Sequence, residues 1–322
     1  MLRMTRSSFL LRFLFPALVI PAVQVSAANA LGPWSPGVVD HWGSEGTGPG
    51  QFGLAHGLAV GPDGSVYVGD TLNNRVQKFT ADGDYVLEFA VAFPGGVDVD
   101  DAGNVFVVGG TDQVFKFSST GEPITSWGGT GSDPGQFRFP LDVAVDSQGF
   151  VYVVDWMNHR VQKFTNDGGF VLAFGSEGTG DGQFMTPVSI VCTGSDVITV
   201  HVVDMGLDRT VAFLGNGEWT GGLPGDLHDP TGIALEHTGY LLLLDAGSGR
   251  IHVYGPGGEF QFAFGSEGNE LGQFFHPSAI DAGPDGRIYV MDKDNHRVQV
   301  FQSIASPIVP ATWSGIKSLS AR

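Results

Sequence analysis

Ala55-His56-Gly57-Leu58-Ala59-Val60, the turn Pro62-Asp63-Gly64, Ser65-Val66-Tyr67-Val68-Gly69-Asp70, the turn ending Asn73-Asn74-Arg75, Val76-Gln77-Lys78-Phe79, the turn Asp82-Gly83, and Tyr85-Val86-Leu87-Glu88-Phe89: this stretch decides the fold. It contains four short β-rich runs separated by turn residues, with no helical period. The grammar recurs along the chain. Gly-Gln-Phe stands at residues 50–52, 135–137, 182–184 and 272–274, at intervals of 85, 47 and 90 residues. The long intervals hold two units each, so a unit is 42 to 47 residues long and there are six. Units two and five lack the tripeptide.

Four antiparallel strands per unit, repeated radially, predict an all-β six-bladed propeller over residues 31–302. The strands are named a to d from the axis outward. Unit six ends after strand c, where Ser306-Pro307 and Pro310 interrupt the chain. Val38-Val39-Asp40-His41-Trp42-Gly43 reads like the outer strands that end in Trp127-Gly128 and Phe264-Gly265. The N-terminal strand is therefore expected to complete blade six and remove an open sheet edge.

A second motif, Asp-x-x-Asn-x-Arg, marks the b–c turns. It reads Asp70, Asn73, Arg75 in unit one, Asp155, Asn158, Arg160 in unit three, and Asp292, Asn295, Arg297 in unit six. Units four and five keep Asp204 with Arg209 and Asp245 with Arg250. Unit two puts Gly109 and Gln113 in the Asp and Arg slots. A charged pair repeated in five of six units argues for architecture. Asp and Asn satisfy turn backbone, Asn tolerates positive φ, and arginine's five donors suit carboxylates and carbonyls. These residues, with the Gly-rich loop and the Tyr-Val-x-Asp strand, resemble the NHL-repeat family. The resemblance covers roughly residues 38–302 and implies the propeller fold, not one activity.

Residues 1–30 have a different composition. Arg3, Arg6 and Arg12 precede an apolar run from Phe13 to Val23, and small residues follow. This predicts a secretory signal peptide cleaved after Ala27 or Ala30, leaving a secreted, periplasmic or cell-surface chain without a transmembrane segment. Losing those three arginines takes the net charge from −18 to −21. Such a chain suits a soluble monomer and repels nucleic acid. Residues 303–322 form a Pro-containing tail, read either as a frayed terminus or as a docking or sorting peptide. The single cysteine, Cys192, allows no internal disulfide and is expected to be a buried apolar residue of blade four.

Connectivity places the long d–a loops and the b–c turns on one face, and that face is the expected binding surface. It carries the acids Glu45, Asp133, Glu177, Asp181, Asp226, Asp229, Glu267 and Glu270, and the apolar tips Leu72, Trp156, Met157, Met205 and Leu207. Trp156, Met157, Asp181 and Glu267 are the candidate ligand contacts, for a protein, peptide or carbohydrate. Trp156 is read equally as an exposed anchor or as packing on a neighbouring loop.

Some relatives, the amidating lyases, hold zinc with histidines that follow the strand-a proline. That slot reads His56, Gly95, Leu141, Val188, Thr231 and Ser278, so the family's triad is absent. His56, His228 and His276 are the alternative metal set, for zinc with an open position. Asp98, Asp142 and Asp281 can bind calcium or cap backbone, the latter preferred. No cofactor is expected, with calcium or zinc the possible metals. The function read from sequence is a binding scaffold. The alternative is a metal-dependent enzyme resembling an amidating lyase or a lactonase. RNA-binding NHL proteins present basic faces, and ubiquitin ligases with NHL repeats carry a RING domain; neither feature is found here.

Overall fold

The computed structural model describes residues 36–302; the predicted signal peptide and the tail lie outside them. Six four-stranded antiparallel sheets form the ring. Their inner strands are Ala55–Val60, Pro94–Val99, Pro140–Val145, Pro187–Thr193, Pro230–Leu235 and Ala279–Ala282. Each inner strand packs against the next around the axis, and the sixth meets the first. No helix among the described residues is long and apolar enough to cross a membrane.

The closing strand lies where expected. Val38–Trp42 pairs antiparallel with Arg297–Phe301, with Trp42 opposite Val298 and Val38 opposite Phe301. Trp42 then crosses the seam. Its ring lies 4.3 Å from Phe79 of blade one, and its indole covers Gly83, where a Cβ would meet it at 2.3 Å. Trp127 covers Gly168 of blade three in the same way. Glycine at these c–d turns leaves room for the preceding blade's tryptophan and also permits the turn's positive φ, +84° at Gly83.

The two sequence motifs form one device. The phenylalanine of Gly-Gln-Phe is fully buried at Phe52, Phe137, Phe184 and Phe274, each 5.5–5.9 Å from the strand-c aromatic Phe79, Phe164, Phe213 or Phe301. The glutamine folds back on its own loop, as when Gln51 Oε1 accepts from Gly48 N. The buried Asp70 carboxylate accepts from Arg75 Nε, Asn73 Nδ2, Gln77 Nε2 and the loop amide of Gly53. Arg75 Nη2 donates onward to the carbonyls of Gly48 and Gln51. Asp155 with Arg160, and Asp292 with Arg297, repeat the pattern. The motif therefore staples each Gly-rich loop to its blade, and almost every lone pair of a buried charge is used.

Three details depart from the sequence reading. The left-handed residue of the b–c turn is not the motif Asn but the next residue: Asn74, His159 or His296. The motif Asn instead donates to a loop carbonyl, as from Asn73 to Gly46 O and from Asn158 to Gly131 O. In blade five, Arg250 is exposed and makes no ion pair with Asp245. Asp245 bonds Ser248 and the amide of His228 and faces His252. That loop lacks the Gly-Gln-Phe turn whose carbonyls hold the arginine elsewhere. In blade four the Arg209 Nε to Asp204 distance stretches to 3.5 Å, although Arg209 Nη2 still reaches Gln183 O.

Candidate functional site

The central channel opens on the face of the d–a loops and b–c turns as a cavity of about 1150 Å³. At its rim five inner strands start at or just after a proline, and the residue before that proline projects into the mouth. These residues are Phe93, Phe139, Thr186, Asp229 and His276. Four of them take the left-handed region, with φ +44° at Phe93, +52° at Phe139, +49° at Asp229 and +44° at His276. For a bulky residue this conformation is costly and is held only by its surroundings. The preceding blade's turn supplies part of the restraint: Asn74 Oδ1 accepts from Phe93 N, Asp112 Oδ1 from Phe139 N, and Asp208 Oδ1 from Asp229 N.

Trp156 and Glu267 both line the cavity, as expected of ligand contacts. Trp156 is half-buried and lies edge-on to Phe139 at 6.2 Å, so it packs on the neighbouring loop while part of its ring stays exposed. Met157, 47% exposed, lines a shallower second hollow beside the first, with Arg138, Phe139, Trp156 and Met185. Asp181 is exposed and lines neither hollow. Of the eight acids expected on this face, only Asp229 and Glu267 reach the channel mouth.

The proposed histidine trio does not assemble. His56 and His276, from blades one and six, line the cavity; His228 is exposed outside it. Among the described residues no three His, Cys, Asp or Glu side chains are grouped so as to hold a metal ion. The chain's own residues thus do not fit the relatives' zinc triad. His56 Nδ1 lies 3.0 Å from Thr71 Oγ1, and Thr71 donates its own hydrogen to Pro94 O. With the Thr71 hydrogen committed to Pro94 O, the imidazole donates to Thr71 from Nδ1, and the ring also has a hydrogen bond to the Leu54 backbone. Burial, and then Lys293, lower its basicity, so it is held neutral. His276 Nδ1 lies 2.7 Å from Asp294 Oδ2, and its ring stacks on Phe275.

Deeper in the channel, Asp98, Asp142 and Asp281 cap backbone across blade boundaries. Asp98 accepts from Val145 N, Asp142 from Ile190 N and Asp281 from Val60 N, and each also accepts from the amide that follows it. This is the capping role preferred from sequence. Burial, partly offset by these bonds and reinforced by charge from one another, pushes all three up to about 7. Cys192 is partly buried: it packs against the core cluster between blades three and four, as expected, and also lines the channel. Burial and the carboxylates of Asp146 and Asp98 push its thiol well up, so it stays protonated and unreactive.

The raised carboxylates give a pH dependence of defined sign. Between about pH 4 and 7 the folded chain holds protons on these groups that the unfolded chain releases, so their contribution to stability falls as pH rises. His56 and His201, whose basicity burial lowers (to about 4 for His201), act in the opposite direction. The clean observable is therefore a difference. Asp281→Asn keeps an acceptor for only one of the two amides that Asp281 serves, Val60 N and Ala282 N, so its midpoint relative to the parent chain carries a constant loss, but that midpoint difference should be more favourable at pH 8 than at pH 5. Equal midpoint shifts at both pH values would refute the channel-carboxylate origin.

The NHL repeat is matched at residues 52–79, 137–164 and 274–301, the units in which Gly-Gln-Phe and Asp-x-x-Asn-x-Arg are both complete. The chain is a six-bladed β-propeller built on NHL repeats. It is 32% identical over 176 residues to peptidyl-glycine alpha-amidating monooxygenase A of Xenopus laevis, which covers 48% of this chain and 18% of that protein. Monooxygenase B of the same organism is 34% identical over 136 residues, 36% of this chain and 16% of the relative. The chain thus spans under a fifth of either. Among solved structures, a streptogramin B lyase superposes with TM-score 0.57 at 15% identity, over 77% of this chain and 93% of that one. The virginiamycin B lyase of Staphylococcus aureus gives 0.56 at 15%, over 76% and 79%. At such identity these two establish the fold alone.

Proposed function

We propose that this chain is a binding propeller that takes a neutral or cationic ligand, part of a peptide, protein or carbohydrate, into the channel mouth on the d–a/b–c face. The observation that carries this reading is the cavity itself. It has the size of a small-molecule or side-chain site, its rim is aromatic at Phe93, Phe139 and Trp156, and it carries the acids Asp229 and Glu267 at the mouth beside Lys293, with Asp98, Asp142 and Asp281 deeper in. The net charge of −18 sets the sign of the long-range field, which repels polyanions before contact. The amidating monooxygenases, named for a peptidyl-glycine, support a ligand of peptide character here. Secretion and a monomeric state belong to the same proposal.

Trp156→Ala should weaken ligand binding by about 2 kcal/mol, roughly thirtyfold, if the ring is an anchor. Gln148→Ala, on the a–b turn of the opposite face, should leave affinity unchanged. The measurement is titration of the full-length chain with basic peptides, neutral glycans, heparin and RNA at two salt concentrations. Tight, salt-sensitive binding of heparin or RNA at this face would overturn the electrostatic argument.

A further inference from the structure

The aromatic wall of the channel mouth has a second side. Phe139, Trp156 and Thr186 line the central cavity and also the shallower hollow in front of blade three. That hollow is apolar at Phe139, Met157 and Met185, which are 57%, 47% and 37% exposed. Aromatic and methionine side chains left open to solvent adapt readily to a protein partner. Arg138 lines the same hollow. Other arginines are committed: Arg75, Arg160 and Arg297 staple loops, and Arg287 pairs with Asp82 and Asp285. Arg138 is held through its backbone, whose amide donates to Asp155, while its guanidinium is exposed and enters no ion pair among the described residues. His159 lines the hollow too, with bonding capacity unspent. Its counterpart in blade six, His296, brings Nδ1 to 2.9 Å from Gly53 O, whereas Nδ1 of His159 is buried without a partner.

Across the channel the sign reverses. Asp229 stands before the inner strand of blade five and Glu267 in the loop before blade six; both line the mouth, exposed and outside any ion pair among the described residues, against the one ammonium of Lys293. Each inner strand packs on the next around the ring, so blades five and six lie opposite blades two and three. We infer that this face seats one extended peptide segment, with a basic side chain toward Asp229 and Glu267, an apolar or aromatic one against Trp156 and Phe139, and an acidic one at Arg138. The inference rests on the mouth being a ligand site and names its ligand, a protein segment of mixed charge. A neutral glycan satisfies neither charged end, and a small molecule fills one hollow without reaching the other. An extended chain advances about 3.3 Å per residue, so a few residues bridge the two. Opposite signs at the two ends make the arrangement selective, because a segment with both charges on one side of its apolar residue brings like charges together or leaves one end unpaired.

The experiment titrates the full-length chain with peptides of about ten residues, capped at both ends, that carry one Lys, one Phe and one Glu in a Gly-Ser background at varied separations. Peptides with Phe between the two charges should bind more tightly than peptides of the same composition with Phe outside both. Arg138→Glu should weaken the Phe-central peptide by about fivefold and turn the preference toward Lys-Phe-Lys, with the melting transition unchanged because Asp155 holds the backbone amide of residue 138 and not its side chain. Arg138→Gln should lose the salt-sensitive part of the affinity without that reversal. Three results overturn the inference: equal binding of the two orders, affinity indifferent to Arg138→Glu with no gain for Lys-Phe-Lys, or titration by glycans and by no peptide. Any of these, with Trp156→Ala still weakening the ligand that does bind, strikes the peptide assignment and leaves the mouth as a binding site. No titration by any peptide or glycan strikes both.

Discussion

A chain truncated to begin at Gly43 should lose its cooperative melting transition and associate through blade six. The truncation strips strand Val38–Trp42 from Arg297–Phe301 and leaves the amides and carbonyls of Val298 to Phe301 as an open edge. It also removes Trp42 from the seam, where the ring packs on Phe79 and Phe52. Replacing one buried aromatic by alanine costs about 3–5 kcal/mol. The truncation removes that contact together with a whole ladder of hydrogen bonds, against a total stability of roughly 5–15 kcal/mol for a domain. Calorimetry with size-exclusion chromatography reads the outcome. A monomer with an unchanged melting temperature would contradict closure by this strand.

The second large effect is at the loop staple. In Asp155→Ala, four donors lose one acceptor group: Arg160 Nε, Asn158 Nδ2, Gln162 Nε2 and the amide of Arg138. Removing one partner of a buried ion pair costs about 3–5 kcal/mol, because the other charge is left without compensation. At about 2–4 °C per kcal/mol for a chain of this size, the melting temperature should fall by roughly 10 °C. Asp245→Ala should fall by less, since Arg250 is exposed and no guanidinium is stranded there. Equal losses at Asp155 and Asp245 would show that the arginine contributes nothing to the staple.

These two contrasts mark how far the sequence could be read. The blades were legible because each repeats the same run of four short strands and turns, and a pattern repeated six times averages out its own exceptions. The closing strand was legible as a remainder, one outer strand too few at one end and one too many at the other. The exceptions themselves were not. Nothing local in Arg250 shows that its loop lacks the carbonyls it needs. Cys192 was legible as an apolar residue packed against the core, but strand alternation does not say that it also lines the channel.

The His276–Asp294 pair was missed for a related reason, as its two halves lie 18 residues apart on separate loops. A signal for it existed. The motif aspartates bond loop amides 17 residues upstream in four blades: Gly53 with Asp70, Arg138 with Asp155, His228 with Asp245, and Phe275 with Asp292. That offset lays the turn against the loop in those four blades, and in blade six it brings His276, one position on from Phe275, to Asp294, two positions on from Asp292. His228, by contrast, was grouped with the other histidines on spacing that ignores which side of the loop faces the axis.

The rim residues before the inner-strand prolines carry one more consequence. Their awkward backbone is held from outside, by a carboxylate or amide oxygen on the preceding blade's turn, at Phe93, Phe139 and Asp229. The side chains themselves do little of the holding. At those three positions the bond from the preceding blade reaches the backbone amide whatever side chain is carried, and the rim set Phe93, Phe139, Thr186, Asp229 and His276 already spans aromatic, hydroxyl, acidic and basic chemistry. A lineage can rewrite such a rim one residue at a time without destabilising the ring beneath it. One scaffold can thereby serve successive ligands through changes at a handful of codons.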